Sequence, residues 1–237
     1  MAVSGQAFAE RLASVRERMG KAAARAGRDE AAVRLVAVSK FHPAQSVEEA
    51  VSCGQLAFGE NYVQEALAKQ KALGGQPGLE WHFIGHLQLN KAKDVCGRFA
   101  LIHTVDDIRL AEAFNRRLPE GYAAQDVLIQ VNIGHEAQKS GVSEDALLPL
   151  AEGILALPRV RLLGLMGMPP FFDDGEAARP YFARLRELRD GLEKKLGVAL
   201  PELSMGMSGD FEQAIEEGAT LIRVGTTLFG PRPVQRP

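Results

Sequence analysis

The stretch RLVAVSK, Arg34–Lys40, is a short apolar run that ends in a serine and a lysine. Four apolar residues in succession, bounded by polar ones, are typical of a strand buried on both faces. Such strands form parallel sheets that are covered by helices. Because an unpaired ammonium is costly to bury, Lys40 must either reach solvent or enter a pocket in which it reacts.

Similar runs recur along the chain, and helical segments separate them. The predicted strands are Leu35–Val38, Leu56–Gly59, Trp81–Gly85, Leu101–Val105, Val127–Asn132, Leu162–Met168, Leu203–Met207 and Leu221–Val224. The predicted helices between them include Pro43–Gly54, Asn90–Gly97, Gly175–Gly197 and a helix capped by Asp210 that stops at Gly218. Eight strands alternating with helices in 237 residues predict a (β/α)₈ TIM barrel. An open doubly wound sheet is the alternative, but no G-x-G-x-x-G motif follows a strand.

We expect one domain over residues 1–237. Apolar residues at helical spacing from Phe8 to Met19 predict an N-terminal helix within residues 1–27, covering the N-terminal end of the barrel. The last residues, PRPVQRP at 231–237, are expected to form a loose tail.

Composition excludes several classes of protein. A formal net charge of −2 with mixed signs gives no basic face for nucleic acid. Cys53 and Cys96 form no C-x-x-C pair, so a disulfide framework is not expected. The N-terminus lacks the apolar core of a signal peptide, and no stretch approaches the roughly 20 apolar residues of a membrane span. These features predict a cytoplasmic protein that contacts neither membrane nor nucleic acid.

Polar residues follow most of the strands, where a TIM barrel carries its active site. They are Ser39, Lys40, His42, Glu60, Asn61, His82, His86, Gln88, Asp106, Asp107, Gln130 and Asn132. Among them, Lys40 is the candidate nucleophile, because a desolvating pocket lowers the pKa of a lysine and makes it reactive toward carbonyl compounds. Solvent exposure of Lys40 is the simpler alternative.

The segment RVGTTLFG, Arg223–Gly230, predicts a phosphate site after the last strand. The amides of Gly225 and Thr226 and the Thr226 hydroxyl can donate to an anion, and Ser208 can add a hydroxyl from the preceding loop. Arg223 should point into the barrel mouth, since it alternates with Gly225 along the strand. Its acceptor could be a carboxylate such as Glu60 or a ring nitrogen of a bound aromatic cofactor.

Other candidates favour structural roles. His82 and His86 have the spacing of a helical metal site but lie in a predicted strand, so no metal is expected. Asp106 and Asp107 are expected to cap a helix. Four methionines are expected in the core or in the layers inside the barrel, namely Met166, Met168, Met205 and Met207.

An amine, a phosphate cradle and an inward arginine together suggest pyridoxal 5′-phosphate (PLP), which carries an aldehyde, a phosphate and a pyridine nitrogen. The motifs LVAVSK, FGENYVQEA, WHFIGHLQLNK, IHTVDD, VNIGHEAQKSGV, GLMGM, SMGMSGDFEQAI and IRVGTTLFG resemble those of the pyridoxal phosphate homeostasis protein family, which shares its barrel with the N-terminal domain of alanine racemase. The resemblance runs from Leu35 to Gly230. Phe41, where threonine is more usual, and Gly167 depart from the pattern.

The resemblance implies roles for particular residues. Lys40 would form the internal aldimine with PLP, Asn61 would lie beside the cofactor, and Arg223 would face the pyridine nitrogen. Met207, Ser208, Gly225 and Thr226 complete the implied cofactor-binding set, the last three at the phosphate. A monomer or weak dimer is implied, with PLP and PLP-dependent apoenzymes as partners.

The preferred function is therefore PLP homeostasis, in which the chain holds PLP as a Schiff base on Lys40 without robust catalysis. An arginine cannot give the pyridine nitrogen a full proton, so the ring stays a poor electron sink. One alternative is a weak PLP-dependent amino-acid racemase, although its second base would have to be one of Tyr62, Tyr122 and Tyr181. The other is a Schiff-base aldolase of a sugar phosphate, which also needs a lysine and a phosphate cradle.

Overall fold

Eight parallel strands form a closed barrel in chain order in the computed structural model, which describes residues 5–136 and 138–231. The strands are β1 (Arg34–Val38), β2 (Ala57–Glu60), β3 (Glu80–Phe83), β4 (Leu101–Val105), β5 (Gln125–Val131), β6 (Val160–Gly167), β7 (Glu202–Ser204) and β8 (Leu221–Val224). The helices are α1 (Gly5–Arg25), α2 (Ala44–Ser52), α3 (Val63–Leu73), α4 (Ala92–Val95), α5 (Ile108–Arg117), α6 (Glu144–Leu155), α7 (Arg179–Leu196), α8 (Phe211–Glu216) and α9 (Thr226–Phe229). The predicted TIM barrel is confirmed.

The barrel closes where β1 pairs in parallel with β8, from Arg34 opposite Leu221 to Ala37 opposite Val224. A glycine is also required where β6 pairs with β7. Gly164 in β6 has φ +154°, and a Cβ at this position would lie 1.8 Å from the carbonyl oxygen of Glu202 in β7. The close approach of the two backbones therefore leaves no room for a side chain.

Alternation along the strands divides the core in two. Ala37, Phe58 and Phe83 face outward into the large apolar layer between barrel and helices. Inward-facing side chains such as Val36 and Met166 form a smaller cluster within the barrel. Because side chains alternate with a period of two, Lys40 continues the inward series of Val36 and Val38, whereas Ser39 faces the helices.

The N-terminal helix was expected to cover the N-terminal end of the barrel, and this expectation is wrong. Instead α1 packs along its side against α2, α8 and α9. Phe8 meets Phe229 with ring centroids 5.1 Å apart, and Arg28 beyond the helix donates to the carbonyl of Ile215. This helix occupies the place left open because β8 is followed by only the short α9.

Some element boundaries differ from expectation. Strand β7 ends at Ser204 rather than Met207, and α4 is a single turn after a short 3₁₀ segment. Helices α3 and α6 were not among the predicted segments, and α5 was expected only through its capping residues Asp106 and Asp107. Residues 232–237 of the expected tail lie outside the described residues. Within the described ranges, no helix combines the length and apolar character that a membrane crossing requires.

Candidate functional site

A cavity of about 500 Å³ opens at the carboxyl ends of the strands, between the segments that follow β1, β2, β3, β5, β6, β7 and β8. Every residue of the predicted cofactor set lines it, namely Lys40, Asn61, Met207, Ser208, Arg223, Gly225 and Thr226. Other predicted polar residues gather elsewhere. His86, Gln88, Asp106 and Asp107 line a separate cleft of about 270 Å³ beside α5.

Behind Lys40, on the outer side of the strands, lies a buried ionic cluster made of Ser39, Glu60, Glu65 and Lys69. The Lys69 ammonium donates to Glu60 Oε1 at 2.7 Å, to Glu65 Oε1 at 2.8 Å and to the Ser39 carbonyl at 2.7 Å. The Ser39 hydroxyl donates to the same oxygen of Glu60 at 2.6 Å. Three acceptors thus use all three ammonium protons.

Glu60 is fully buried, and its Oε2 has no hydrogen-bond partner among the described residues. Burial raises the pKa of Glu60, an effect that the charge of Lys69 and the hydrogen bonds from Lys69 and Ser39 oppose. The carboxylate and the buried ammonium therefore depend on each other.

The cluster fixes the backbone on both sides of Lys40. Lys69 holds the carbonyl of Ser39, and Glu65 accepts the N–H of Phe41 at 2.6 Å. Phe41 has φ +68°, a left-handed conformation that a bulky residue adopts only where its surroundings require it. The conformation of the turn that presents Lys40 to the cavity is therefore stabilised by Lys69 and Glu65 on the outer side of the strands, and not by the backbone preference of Phe41.

His42 connects this turn to the last helix. Its ring stacks on Phe229 of α9, with centroids 4.9 Å apart and an interplanar angle of 28°. Burial lowers the pKa of His42, which favours the neutral ring in this contact. The loop carrying Lys40 and the helix that begins with Thr226 are thus packed together.

The loops after β7 and β8 form a cradle suited to an anion. Gly225 leads into α9, whose first amides have no partner within the helix, and Thr226 adds a hydroxyl. A Cβ at Gly225 would lie 3.3 Å from the Val38 carbonyl oxygen, so glycine keeps this strand end open. On the facing loop Ser208 and Gly209 line the same cavity.

Asp210 holds the facing loop in shape. It occupies the predicted cap position of α8, but its side chain makes no cap hydrogen bond. Its Oδ1 instead accepts the N–H of Met207 at 2.6 Å, and burial raises the pKa of this carboxyl. Asp210 therefore stands at the start of α8 as expected, but its side chain does not make the expected capping hydrogen bond.

Arg223 points into the barrel mouth as predicted, and it is buried. Glu60 is not its acceptor, because Glu60 faces the opposite side of the sheet and pairs with Lys69. The guanidinium donates from Nη1 to Ser204 Oγ at 2.6 Å and from Nη2 to the Gly167 carbonyl at 3.1 Å. Burial lowers the pKa of Arg223 to about 10, so the group remains a cation and a donor.

Two further expectations need correction. Met166 and Met205 are buried in the core, and Met168 packs against the inner cluster of the barrel while it also lines the cavity, but Met207 lines the cavity. Asp107 caps α5 as expected, by accepting the N–H of Arg109. Asp106 does not cap, since its Oδ2 accepts the N–H of Gly141 and so ties together the loops after β4 and β5.

The sequence assigned no definite role to several residues around the site. Lys69 resembles an exposed partner of Glu65 at i, i+4 spacing, and its burial depends on the packing of α3. His103 and Ser204 were detectable as polar residues within apolar strands. Lys139, which also lines the cavity, donates to the Pro169 carbonyl at 2.9 Å and pairs with Glu136.

The arrangement fits a ligand with three features, held at three places around one cavity. Lys40 supplies an amine for a carbonyl carbon, the Ser208 and Thr226 loops supply donors for an anion, and Arg223 supplies a donor for a ring acceptor.

Known proteins share both the sequence and the fold. The alanine racemase N-terminal domain family matches residues 7–233. A pyridoxal phosphate homeostasis protein of Aquifex aeolicus is 51% identical, covering 94% of this chain and 97% of its own length. PipY of Synechococcus elongatus, in a structure with PLP bound, is 39% identical with a TM-score of 0.83, covering 94% of this chain and 100% of its own.

A more distant likeness concerns the fold alone. Alanine racemase of Corynebacterium glutamicum is 17% identical with a TM-score of 0.72. The match covers 99% of this chain but 63% of the racemase chain. The two proteins therefore share the barrel fold, and the racemase chain contains further residues outside the match.

Proposed function

The chain belongs to the family of pyridoxal phosphate homeostasis proteins, and from this premise we propose that it binds PLP in the cavity at the carboxyl ends of the strands. Lys40 is the residue of attachment, since the aldehyde of PLP condenses with primary amines. The phosphate lies against Ser208, Gly225 and Thr226, and Asn61 and Met207 line the sides. The observation that carries this proposal is the convergence of amine, anion cradle and buried guanidinium on one cavity.

The role we propose is to hold PLP and supply it to PLP-dependent apoenzymes, not to turn over a substrate. Arg223 can only donate a hydrogen bond, so a ring nitrogen beside it keeps its lone pair. None of the three tyrosines, all of them within the described residues, lines the cavity. Tyr62 packs on Phe41 and Tyr181 on Phe172. A racemase would need a second base facing Lys40, which these tyrosines do not supply.

We further propose that the chain works in the cytoplasm as one domain and as a monomer or weak dimer. The absence of a membrane-crossing helix in the described residues is compatible with this. Phe171, at the rim of the cavity, is 87% exposed. An open rim suits exchange of a cofactor between proteins better than a sealed active site does.

The test is reduction with borohydride followed by peptide mass measurement. We expect purified protein incubated with PLP to be yellow, to lose its colour on reduction, and to carry a pyridoxyl group on the peptide that contains Lys40. The Lys40→Ala variant should remain colourless, whereas Lys139→Ala, which removes the other lysine lining the cavity, should be labelled on Lys40 as before.

Each alternative predicts a different outcome. Failure to take up PLP, with borohydride trapping only in the presence of a sugar phosphate, would favour the aldolase. Interconversion of alanine or serine enantiomers at an enzyme-like rate by PLP-loaded protein would favour the racemase. A label on the Lys139 peptide instead of the Lys40 peptide would refute the assignment of Lys40.

A further inference from the structure

A line of polar side chains crosses the interior of the barrel from Arg223 toward the amino ends of the strands. Arg223 Nη1 lies 2.6 Å from Ser204 Oγ, which lies 2.8 Å from His103 Nδ1. His103 Nε2 lies 2.9 Å from His82 Nδ1. His82 Nε2 lies 3.7 Å from a carboxylate oxygen of Glu80, at the start of β3. Four strands contribute to this line, and its three middle members are buried.

The two ends of the line differ in what they can do. A guanidinium can only donate hydrogen bonds, and an ionised carboxylate can only accept them. Ser204 therefore accepts from Arg223 and has one hydroxyl proton left, which can be donated to His103 Nδ1. A neutral His103 then carries its proton on Nε2 and donates to His82 Nδ1, and His82 in turn carries a proton on Nε2, facing Glu80.

The opposite direction conflicts with Glu80. It would place a proton on Nδ1 of both rings and point the bare Nε2 of His82 at a carboxylate. His82 Nε2 has no hydrogen-bond partner among the described residues, so a lone pair there would face the Glu80 carboxylate with no proton between them. Burial, followed by the nearby His82 and Arg223, holds the pKa of His103 well below its usual range, so this ring is neutral. The Glu80 pKa is lowered, chiefly by His82.

We propose that Ser204, His103 and His82 are positioning residues that hold Arg223 through a hydrogen-bond chain polarised from the cavity toward Glu80. Every proton in this chain points away from the cavity. Ser204 and the Gly167 carbonyl fix two nitrogens of Arg223, so the guanidinium cannot turn away from the mouth. The inference rests on the proposed function only in the role that it gives Arg223. That role is to offer a hydrogen-bond donor in a fixed position to the ring nitrogen of PLP.

The direction of the chain can be tested without PLP. Nitrogen-15 NMR of the histidine rings in PLP-free protein near neutral pH should show both His82 and His103 protonated on Nε2 and not on Nδ1. The Glu80→Gln variant should give mixed forms, because an amide can donate to a bare Nε2 as well as accept from a protonated one. Glu202→Gln is the matched control, since both carboxylates lie at the same end of the barrel and pair with Arg34, whereas of the two it is Glu80 that lies beside His82. Protonation of His103 on Nδ1 in the wild-type protein would overturn the proposal.

The positioning role needs a second measurement. Ser204→Ala removes the acceptor of Arg223 Nη1, and we expect affinity for PLP to fall about tenfold, with a shift in the visible absorption band of the loaded protein. Affinity for inorganic phosphate, which uses the loops alone, should be unchanged. Glu202→Gln should match wild type in both.

Wild-type PLP affinity and an unshifted band in Ser204→Ala would refute the positioning role. Should Ser204→Ala fail to fold, the same comparison is made with Glu80→Gln, whose side chain is half exposed, and an unchanged band there has the same meaning. Failure of the wild-type protein to bind PLP would refute the proposed function. The ring protonation measured on PLP-free protein would still decide the direction of the chain.

Discussion

Replacing Lys69 with methionine should destabilise the fold strongly and in a pH-dependent manner. Methionine matches the length of the side chain but leaves buried Glu60 without its cation and the Ser39 carbonyl without its donor. Removing one partner of a buried ion pair costs about 3–5 kcal/mol. Because 1 kcal/mol shifts the melting temperature of a domain of this size by about 2–4 °C, we expect a fall of roughly 6–20 °C.

The pH dependence follows from the direction of the Glu60 pKa. Burial already raises it, and loss of Lys69 removes the main opposing effect. In the variant the folded state then retains a proton on Glu60 at pH values where the unfolded state has released it. Stability therefore falls as the pH rises above the normal range of a glutamate, more steeply than in the wild-type protein. Urea unfolding at about pH 5 and about pH 8 should show the larger loss at the higher pH.

Two comparisons separate this cause from a general effect of losing a lysine. Lys71→Met, at an exposed position on the same helix, should change the free energy of unfolding by less than about 0.5 kcal/mol. The double variant Lys69→Met with Glu60→Gln should recover part of the loss, because no uncompensated charge remains. A loss below about 1 kcal/mol, or an equal loss at both pH values, would refute the reasoning.

Two further perturbations address the phosphate cradle and the barrel seam. Thr226→Val should weaken binding of PLP about tenfold by removing one hydrogen bond to a charged group, while binding of pyridoxal, which lacks the phosphate, stays the same in equilibrium titrations; an equal loss for both ligands would exclude a phosphate contact. Gly164→Ala should lower the melting temperature severely, because its Cβ would meet the Glu202 carbonyl oxygen at 1.8 Å. Gly191→Ala, on an exposed part of α7 where a Cβ meets nothing within 4 Å, should instead stabilise by about 0.5–1 kcal/mol in the same melting experiment; comparable losses in the two variants would contradict the close contact.

The barrel and the position of the cavity residues could be predicted because they depend on local patterns. An apolar run followed by polar residues marks the carboxyl end of a parallel strand, and closure of the barrel brings these ends together. Lys40 and Arg223 were therefore placed correctly from their position along their own strands. Asn61 was likewise among the polar residues that follow a strand, and the family resemblance gave it a role; the resemblance alone added Met207, which no local pattern indicated.

What surrounds these residues could not be predicted, since it depends on segments distant in sequence. His103 meets Ser204 across 101 positions, and nothing near either residue indicates the contact. Lys69 has the spacing of a solvent-exposed helical pair, and the packing of α3 against β2 and the turn after β1 buries it. The placement of α1 likewise depends on the shortness of α9, which the sequence of α1 does not contain.

The supports of Lys40 and Arg223 differ in kind, and this difference bears on how a cofactor could be both held and released. The backbone around Lys40 is fixed by charges that face the helices, and Arg223 is fixed by a chain inside the barrel. Neither support includes the β6 loop, where Phe171 is exposed at the rim of the cavity. Movement of that loop could therefore open the cavity without disturbing the buried Glu60–Lys69 pair or the Ser204–His103 contact. A site with rigid anchors beneath a separately attached rim can change its accessibility at little cost in folding stability, as the proposed transfer of the cofactor requires.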